Sequence, residues 1–144
     1  MILISHRGNL TGKNIEKENH PDYIDIALRI GFNVEIDLWL IDDKLYLGHD
    51  SAQYEVNLEY LKNDKLWVHC KNSDALNFCM LNEGIHFFWH EDDDYTITSN
   101  NFIWAYPKVK PISVKTIAVL PELGNTHSLK DYYGICSDFI VNYI

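Results

Sequence analysis

The chain has 144 residues, 47% of them hydrophobic, with a formal net charge of −9 from 21 acidic and 12 basic side chains. That length suits one domain, residues 1–144, able to bury its own core, and the composition excludes a disordered chain. The acidic balance argues against a nucleic-acid or anionic-membrane binder, since both need a basic surface, and no apolar run approaches the ~20 residues of a membrane span.

In chain order, Ile2 to Ser5 reads as a buried strand followed at once by His6-Arg7-Gly8, with a polar loop over residues 9–20. Met1 to Ile4 is too short an apolar run for a signal segment, so the expected location is cytoplasmic. Pro21-Asp22 can open a helix in which Tyr23, Ile26, Ala27 and Ile30 keep helical spacing, and Gly31 suits its C-terminal end. Asn33 to Leu40 is a second strand. Asp42-Asp43 turns the chain, and Lys44 to Gly48 returns as a hairpin arm. Leu58 to Lys62 reads as a short helix, Lys65 to Cys70 as a strand, and Ser73 or Asp74 as the cap of a helix reaching Asn82. Strands are expected at Ile85–Trp89, at Phe102–Ala105 before Pro107, and at Thr116–Leu120 before Pro121. A helical turn is expected at Leu129–Tyr133 and a last strand at Phe139–Tyr143.

Strands alternating with helices point to βα units. The pattern gives an α/β fold with a parallel sheet; if that sheet closes, as the family resemblance set out below implies, the fold class expected is a reduced TIM-type (β/α) barrel with about seven parallel strands and a β-hairpin after the second strand. The barrel is reduced because a full one usually needs about 200 residues or more. Its exposed strand edges would favour a homodimer. Cys70, Cys79 and Cys136 form no CxxC pair and read as reduced thiols, neither a disulfide framework nor a zinc site.

Parallel barrels carry their chemistry at the C-terminal ends of strands. Several strands here end in ionisable residues: His6 and Arg7, Glu35 and Asp37, His69 and Lys71, and His90, with Glu122 after a later strand. Residues two apart share a strand face, so Glu35 and Asp37 project together, as do His69 and Lys71. Two carboxylates on one strand and an imidazole on the next suit a divalent ion, Mg²⁺ or Ca²⁺ first and Mn²⁺ or Zn²⁺ as tolerated alternatives. The hairpin brings His49 beside Ile36, although a strict two-residue turn would put it on the face opposite the carboxylates. His90, Trp104 and Tyr106 would stand at the mouth and stack on an alcohol group of a substrate. The acidic run Glu91 to Asp94 reads as a solvated loop.

His6-Arg7-Gly8, Glu18-Asn19, Val34-Glu35-Ile36-Asp37 and Gly48-His49-Asp50, in that order and spacing, resemble the opening half of the glycerophosphodiester phosphodiesterase family. Trp67 to Lys71 and Ser137 to Tyr143 are similar to later strands of that family. The resemblance implies hydrolysis of a small-molecule phosphodiester with a divalent ion. Carried over, it makes His6 and His49 the acid/base pair and places Arg7 and Lys71 on the phosphoryl oxygens. Glu35 and Asp37 become metal ligands, and Asn19 helps shape the metal and phosphate site. His69 stands where the family usually has a glutamate ligand. Residues 50–70 leave no room for the family's capping insertion, and the second half is short. These departures favour a second reading, a non-catalytic barrel that binds a phosphorylated ligand or a protein partner; a lyase or isomerase using the same metal site is a third.

Overall fold

The computed structural model describes residues 1–144. The first part of the chain forms β1 (Ile2–His6), α1 (Pro21–Ile30), β2 (Asn33–Ile41), β3 (Lys44–Leu47), β4 (Tyr54–Val56), α2 (Leu58–Leu61), β5 (Leu66–Cys70) and α3 (Ser73–Leu81). The remainder forms β6 (Phe87–Phe88), β7 (Tyr95–Ile97), β8 (Ile103–Ala105), β9 (Thr116–Val119) and β10 (Gly134–Ser137), with 3-10 turns at Pro121–Leu123, Leu129–Asp131 and Ile140–Tyr143. No helix is long and apolar enough to cross a membrane.

α1 shows why these residues are helical. Pro21 sits where the missing N–H does no harm, the His20 side chain accepts from the Asp22 N–H, and Arg29 lies in the last turn. Gly31 adopts the left-handed conformation (φ 114°), and its N–H bonds back to carbonyls of the last turn. The buried face is Ile24 and Ala27, whereas Ile26 and Ile30 are 46% and 56% exposed. The expected helix therefore forms, but half of the residues expected to face the core lie on its solvent side.

β1 runs parallel between β2 and β10; β10 continues in parallel to β9 and β9 to β8. On the other side β2 pairs in parallel with β5, and β5 with β6. The β2–β3, β3–β4 and β7–β8 pairings are antiparallel. This corrects the expected fold. The ten strands form one mixed, curled, open sheet with three α-helices; it is no TIM-type barrel of parallel strands ringed by helices. The reason is chain length. After α3 the connections hold only 3-10 turns and the short arm β7, so nothing covers the second half as helices cover the first, and β6 pairs with β5 alone.

The strand faces divide the molecule cleanly. Val34, Ile36 and Leu38 of β2 and Leu66, Val68 and Cys70 of β5 join one apolar cluster with Ile24 and Ala27 of α1 and Ala75 and Cys79 of α3. The alternate residues line the inside of the curl. There, Ile4, Trp67, Phe88, Trp104, Ile117, Val119 and Cys136 make a second cluster. The next inward positions along these strands, beyond that apolar layer, include His6, His69 and Asp138. Ile135, Ala118, Phe32 and Ile140 form a third cluster outside β9 and β10.

Two further expectations are corrected. The last strand is Gly134–Ser137, not Phe139–Tyr143, because residues 134–137 are buried and pair with both β1 and β9. The apolar run after it becomes a 3-10 turn that buries only Ile140. The strand expected at Ile85–Trp89 shrinks to Phe87–Phe88, and the arms β4 and β7, each three residues long, carry too little pattern to be read from sequence.

Candidate functional site

The C-terminal ends of the strands converge on a cavity of about 450 Å³ lined by His6, Arg7, Glu35, His49, His69 and Lys71 on one side and by Trp89, His90, Trp104 and Tyr106 on the other. Of the residues expected in the site from sequence, only Asp37 and Asn19 do not line it. Both lie directly behind the cavity wall and are fully buried.

Asp37 is the hub. Its Oδ2 accepts from Asn19 Nδ2 at 2.9 Å, and the Asp37 N–H donates to Asn19 Oδ1 at 2.9 Å, so Asn19 clamps the residue from behind. Asn19 is therefore placed as a support for this carboxylate and not at the cavity surface; it holds that position with φ 64°, a conformation asparagine tolerates. Arg7 Nε lies 2.9 Å from Asp37 Oδ2, and Arg7 Nη1 donates to Glu18 Oε2 at 3.2 Å. Lys71 Nζ is 3.9 Å from Asp37 Oδ1, and His49 Nδ1 is 3.4 Å from Oδ2. Burial opposes the charge on Asp37, but its contacts with His49 and His69 and the charge of Arg7 outweigh burial and hold its pKa well below the usual carboxylate range. Burial likewise opposes the charge on Arg7, and Asp37, Glu35 and Glu18 together raise its pKa further.

His49 reaches this point by a local device. Asp42 and Asp43 both take positive φ (50° and 61°), as a two-residue hairpin turn demands, and the β2–β3 register is strict from Ile41↔Lys44 to Leu38↔Leu47. Continued unchanged, that register would send His49 to the far face. Gly48 breaks it: its N–H still bonds the Asp37 carbonyl at 3.1 Å, while its own carbonyl accepts from Trp39 Nε1 at 2.7 Å. A Cβ at position 48 would collide with the Ser51 carbonyl oxygen, so only glycine makes this corner.

Glu35, Asp37 and His69 offer ligand atoms that all lie within 4.8 Å of one another. A single ion ~2.0–2.6 Å from each can bridge that spacing. Glu35 Oε2 and Asp37 Oδ1 are buried and have no hydrogen-bond partner, as expected of oxygens built for a cation. His69 Nε2 faces the His90 carbonyl at 2.9 Å and must donate to it, which leaves Nδ1 toward the two carboxylates, 3.2 Å from Asp37 and 3.6 Å from Glu35. The residues present therefore fit a divalent ion. Without one, burial lowers the His69 pKa, but the adjoining carboxylates dominate and raise it to about 9.

His6 is held from the other side. Its Nδ1 is 2.7 Å from Asp138 Oδ1, and its Nε2 is 3.8 Å from Glu35 Oε2. Burial opposes the charge on Asp138, but His6, Asn9 and Arg7 lower its pKa below the usual range. An ionised carboxylate only accepts, so His6 Nδ1 carries the proton and Nε2 presents its lone pair to the cavity. Asn9 Nδ2 donates to both Asp138 Oδ1 (2.8 Å) and Glu18 Oε1 (2.9 Å) and ties the two second-layer carboxylates together.

Asp138 is the site residue that the expected strand boundaries left out. With the last strand placed at 139–143, it stood near a strand start. With β10 ending at Ser137, it stands directly past a strand end, beside His6 in the parallel register Ser5↔Ser137. Across the cavity the rings of His90 and Tyr106 lie 5.4 Å apart at the rim, and Phe88 stacks on His69 at 5.0 Å, backed by Trp104 at 4.7 Å. His90 Nε2 donates to the Asp93 carbonyl at 2.6 Å and so has a structural task as well. No family model, curated protein or solved structure matches this chain, so its fold and its site rest on this geometry alone.

Proposed function

We propose that this chain is a metal-dependent phosphodiester hydrolase acting on a glycerophosphodiester or similar small phosphodiester by histidine acid–base catalysis. One observation carries the reading: two histidines, His6 at the end of β1 and His49 just past β3, flank a Glu35–Asp37–His69 cluster in which one buried oxygen of each carboxylate lacks a hydrogen-bond partner, with Arg7 and Lys71 beside it. The motif resemblance supports the same reading.

Phosphodiester cleavage needs a base, an acid and positive charge on the phosphoryl oxygens. A bound divalent ion, Mg²⁺ or Ca²⁺ first and Mn²⁺ next, would supply Lewis-acid polarisation of the phosphoryl group. Lys71 adds fixed positive charge at the cavity wall, which offsets the net charge of −9 for an anionic substrate. Arg7 adds charge too, with its guanidinium already oriented by Asp37 and Glu18. His6, with Nδ1–H fixed on Asp138, is set up to take a proton at Nε2 from the attacking hydroxyl or water. His49, with its side chain 39% exposed, is set up to give one to the departing alkoxide.

The cavity also fits a diester. A second, smaller cleft of about 120 Å³, lined by Lys13, Ser51 and Gln53, shares Arg7 and His49 with the main cavity. A phosphate seated at Arg7 and His49 would send its two alcohol groups into clefts of unequal size, the larger one against Trp89, His90, Trp104 and Tyr106.

A second reading, binding of a phosphorylated ligand without turnover, draws on one observation: Arg7 already spends its guanidinium on Asp37 and Glu18. The test is turnover of glycerophosphocholine, glycerophosphoinositol and bis(p-nitrophenyl) phosphate with and without Mg²⁺, Ca²⁺ and Mn²⁺, beside His6→Ala. Metal-dependent turnover abolished in the variant is the expected result. Phosphate-ester binding with no turnover would establish the second reading instead.

A further inference from the structure

Beyond the residues that line the cavity, one carboxylate is placed to act on it at two removes. After β9 the chain makes a strained turn: Leu120 sits in the left-handed region (φ 45°, ψ 55°), where a branched apolar residue is rarely found. Its N–H donates to the Cys136 carbonyl at 2.7 Å, which anchors the turn to β10, and Pro121 is buried immediately after it. The outcome of this turn is that Glu122 doubles back over the end of β10. Both of its carboxylate oxygens lie 3.0 Å from Ser137 Oγ, and Oε1 also accepts the Asp138 N–H at 3.0 Å. Ser137 Oγ in turn accepts from the Phe139 N–H at 2.9 Å. Glu122 thus closes the corner from which Asp138 reaches His6 at 2.7 Å and receives Asn9 at 2.8 Å.

We propose that Glu122 is a positioning residue: by holding the backbone of Ser137 and Asp138 it fixes the Asp138 carboxylate on His6 Nδ1, and so the direction of His6 Nε2 in the cavity. The proposal rests on the reading of His6 as an acid–base group. Backbone strain at Leu120 is the cost of bringing the carboxylate there, and strain of this kind persists where the surroundings over-determine it. The hydrogen bonds of Glu122 go to the Ser137 hydroxyl and the Asp138 N–H, so its effect on His6 runs through this corner.

The test compares wild type, Glu122→Ala and Glu122→Gln as full chains. The readouts are kcat and KM on bis(p-nitrophenyl) phosphate with Mn²⁺, Tm, and solvent exchange of the His6 Nδ1 proton by ¹H–¹⁵N NMR. In Glu122→Ala, kcat is expected to fall roughly tenfold, the scale of a modest misalignment, with KM and Tm nearly unchanged and faster exchange of the Nδ1 proton. Glu122→Gln keeps an oxygen for the Asp138 N–H but loses the second acceptor for Ser137 Oγ, so its kcat loss is expected to be smaller and its exchange to lie between those of wild type and the alanine variant; it carries the test if the alanine variant does not fold. Unchanged kcat and unchanged exchange in both variants would overturn the proposal. Should wild type show no turnover at all, the hydrolase reading fails, and the exchange measurement alone decides whether Glu122 holds His6 through Asp138.

Discussion

The two halves of the curled sheet are built on different terms. In the first, β1, β2 and β5 carry alternating faces. One face of β2 and β5 packs against α1 and α3, that of β1 packs against the C-terminal 3-10 turn, and the opposite face presents the ionisable groups His6, Glu35, Asp37 and His69. In the second, β6, β8 and β9 are two to four residues long, only the first of them touches α3, and they present mainly apolar and aromatic side chains such as Phe88, Trp104 and Val119. The helix-backed half can hold buried charge because its strands are rigid on their far side and each carboxylate has close partners. The thin half supplies a wall with His90 at its rim, and Asp138, held by Glu122, reaches back across the β1–β10 pairing to serve the other half.

If chemistry belongs to the first half, the largest effects come from its histidines. His6→Ala and His49→Ala should each lower turnover by at least ~10²-fold, the scale of lost acid–base catalysis, in steady-state assays with metal present. Near-normal rates in either variant would remove that residue from the mechanism.

The second half has its own titratable liability. His86 is buried beside Trp67, with Nε2 2.8 Å from Thr98 Oγ1, and burial lowers its pKa to about 4. The unfolded chain binds its proton near pH 6.5 and the folded one does not, so stability falls as pH drops from about 6.5 to about 4, by about 3 kcal/mol at the lower end. Urea titrations across that window should show the loss, and His86→Gln should flatten it.

Asp37→Asn is expected to weaken Mn²⁺ binding by about tenfold or more in calorimetry, because it removes charge from a ligand that Asn19 and Arg7 already orient. Wild-type affinity should also rise with pH up to about 9, since the ion must displace the proton that the two carboxylates hold on His69. Equal affinities in the two proteins would count against Asp37 as a ligand. The smallest effect belongs to the wall. Tyr106, 49% exposed at the rim, should change KM only a few-fold on truncation to alanine, with kcat retained, because a half-exposed ring offers a substrate about 1 kcal/mol of contact.

The sequence by itself determined the facing pattern and most of the elements of the first half. Period-two alternation in Val34 to Leu38 and Leu66 to Cys70 separated core from site, because a pleated strand must send neighbours to opposite faces. Pro21 and Gly31 marked the ends of α1 through their fixed and permissive backbones. Only the tertiary structure decided the rest. The sheet stays open and mixed because the later connections are too short to build covering helices, a property of chain length that no local pattern shows. The last strand is 134–137 and not the more apolar 139–143 because pairing with β1 and β9 on both sides outweighs hydrophobicity on one. His49 reaches Asp37 through the broken register at Gly48, and Asp138 and Glu122 reach His6 from more than a hundred residues away in the chain. Such contacts arise from strand pairing across the whole sheet, and residue type or spacing alone does not encode them.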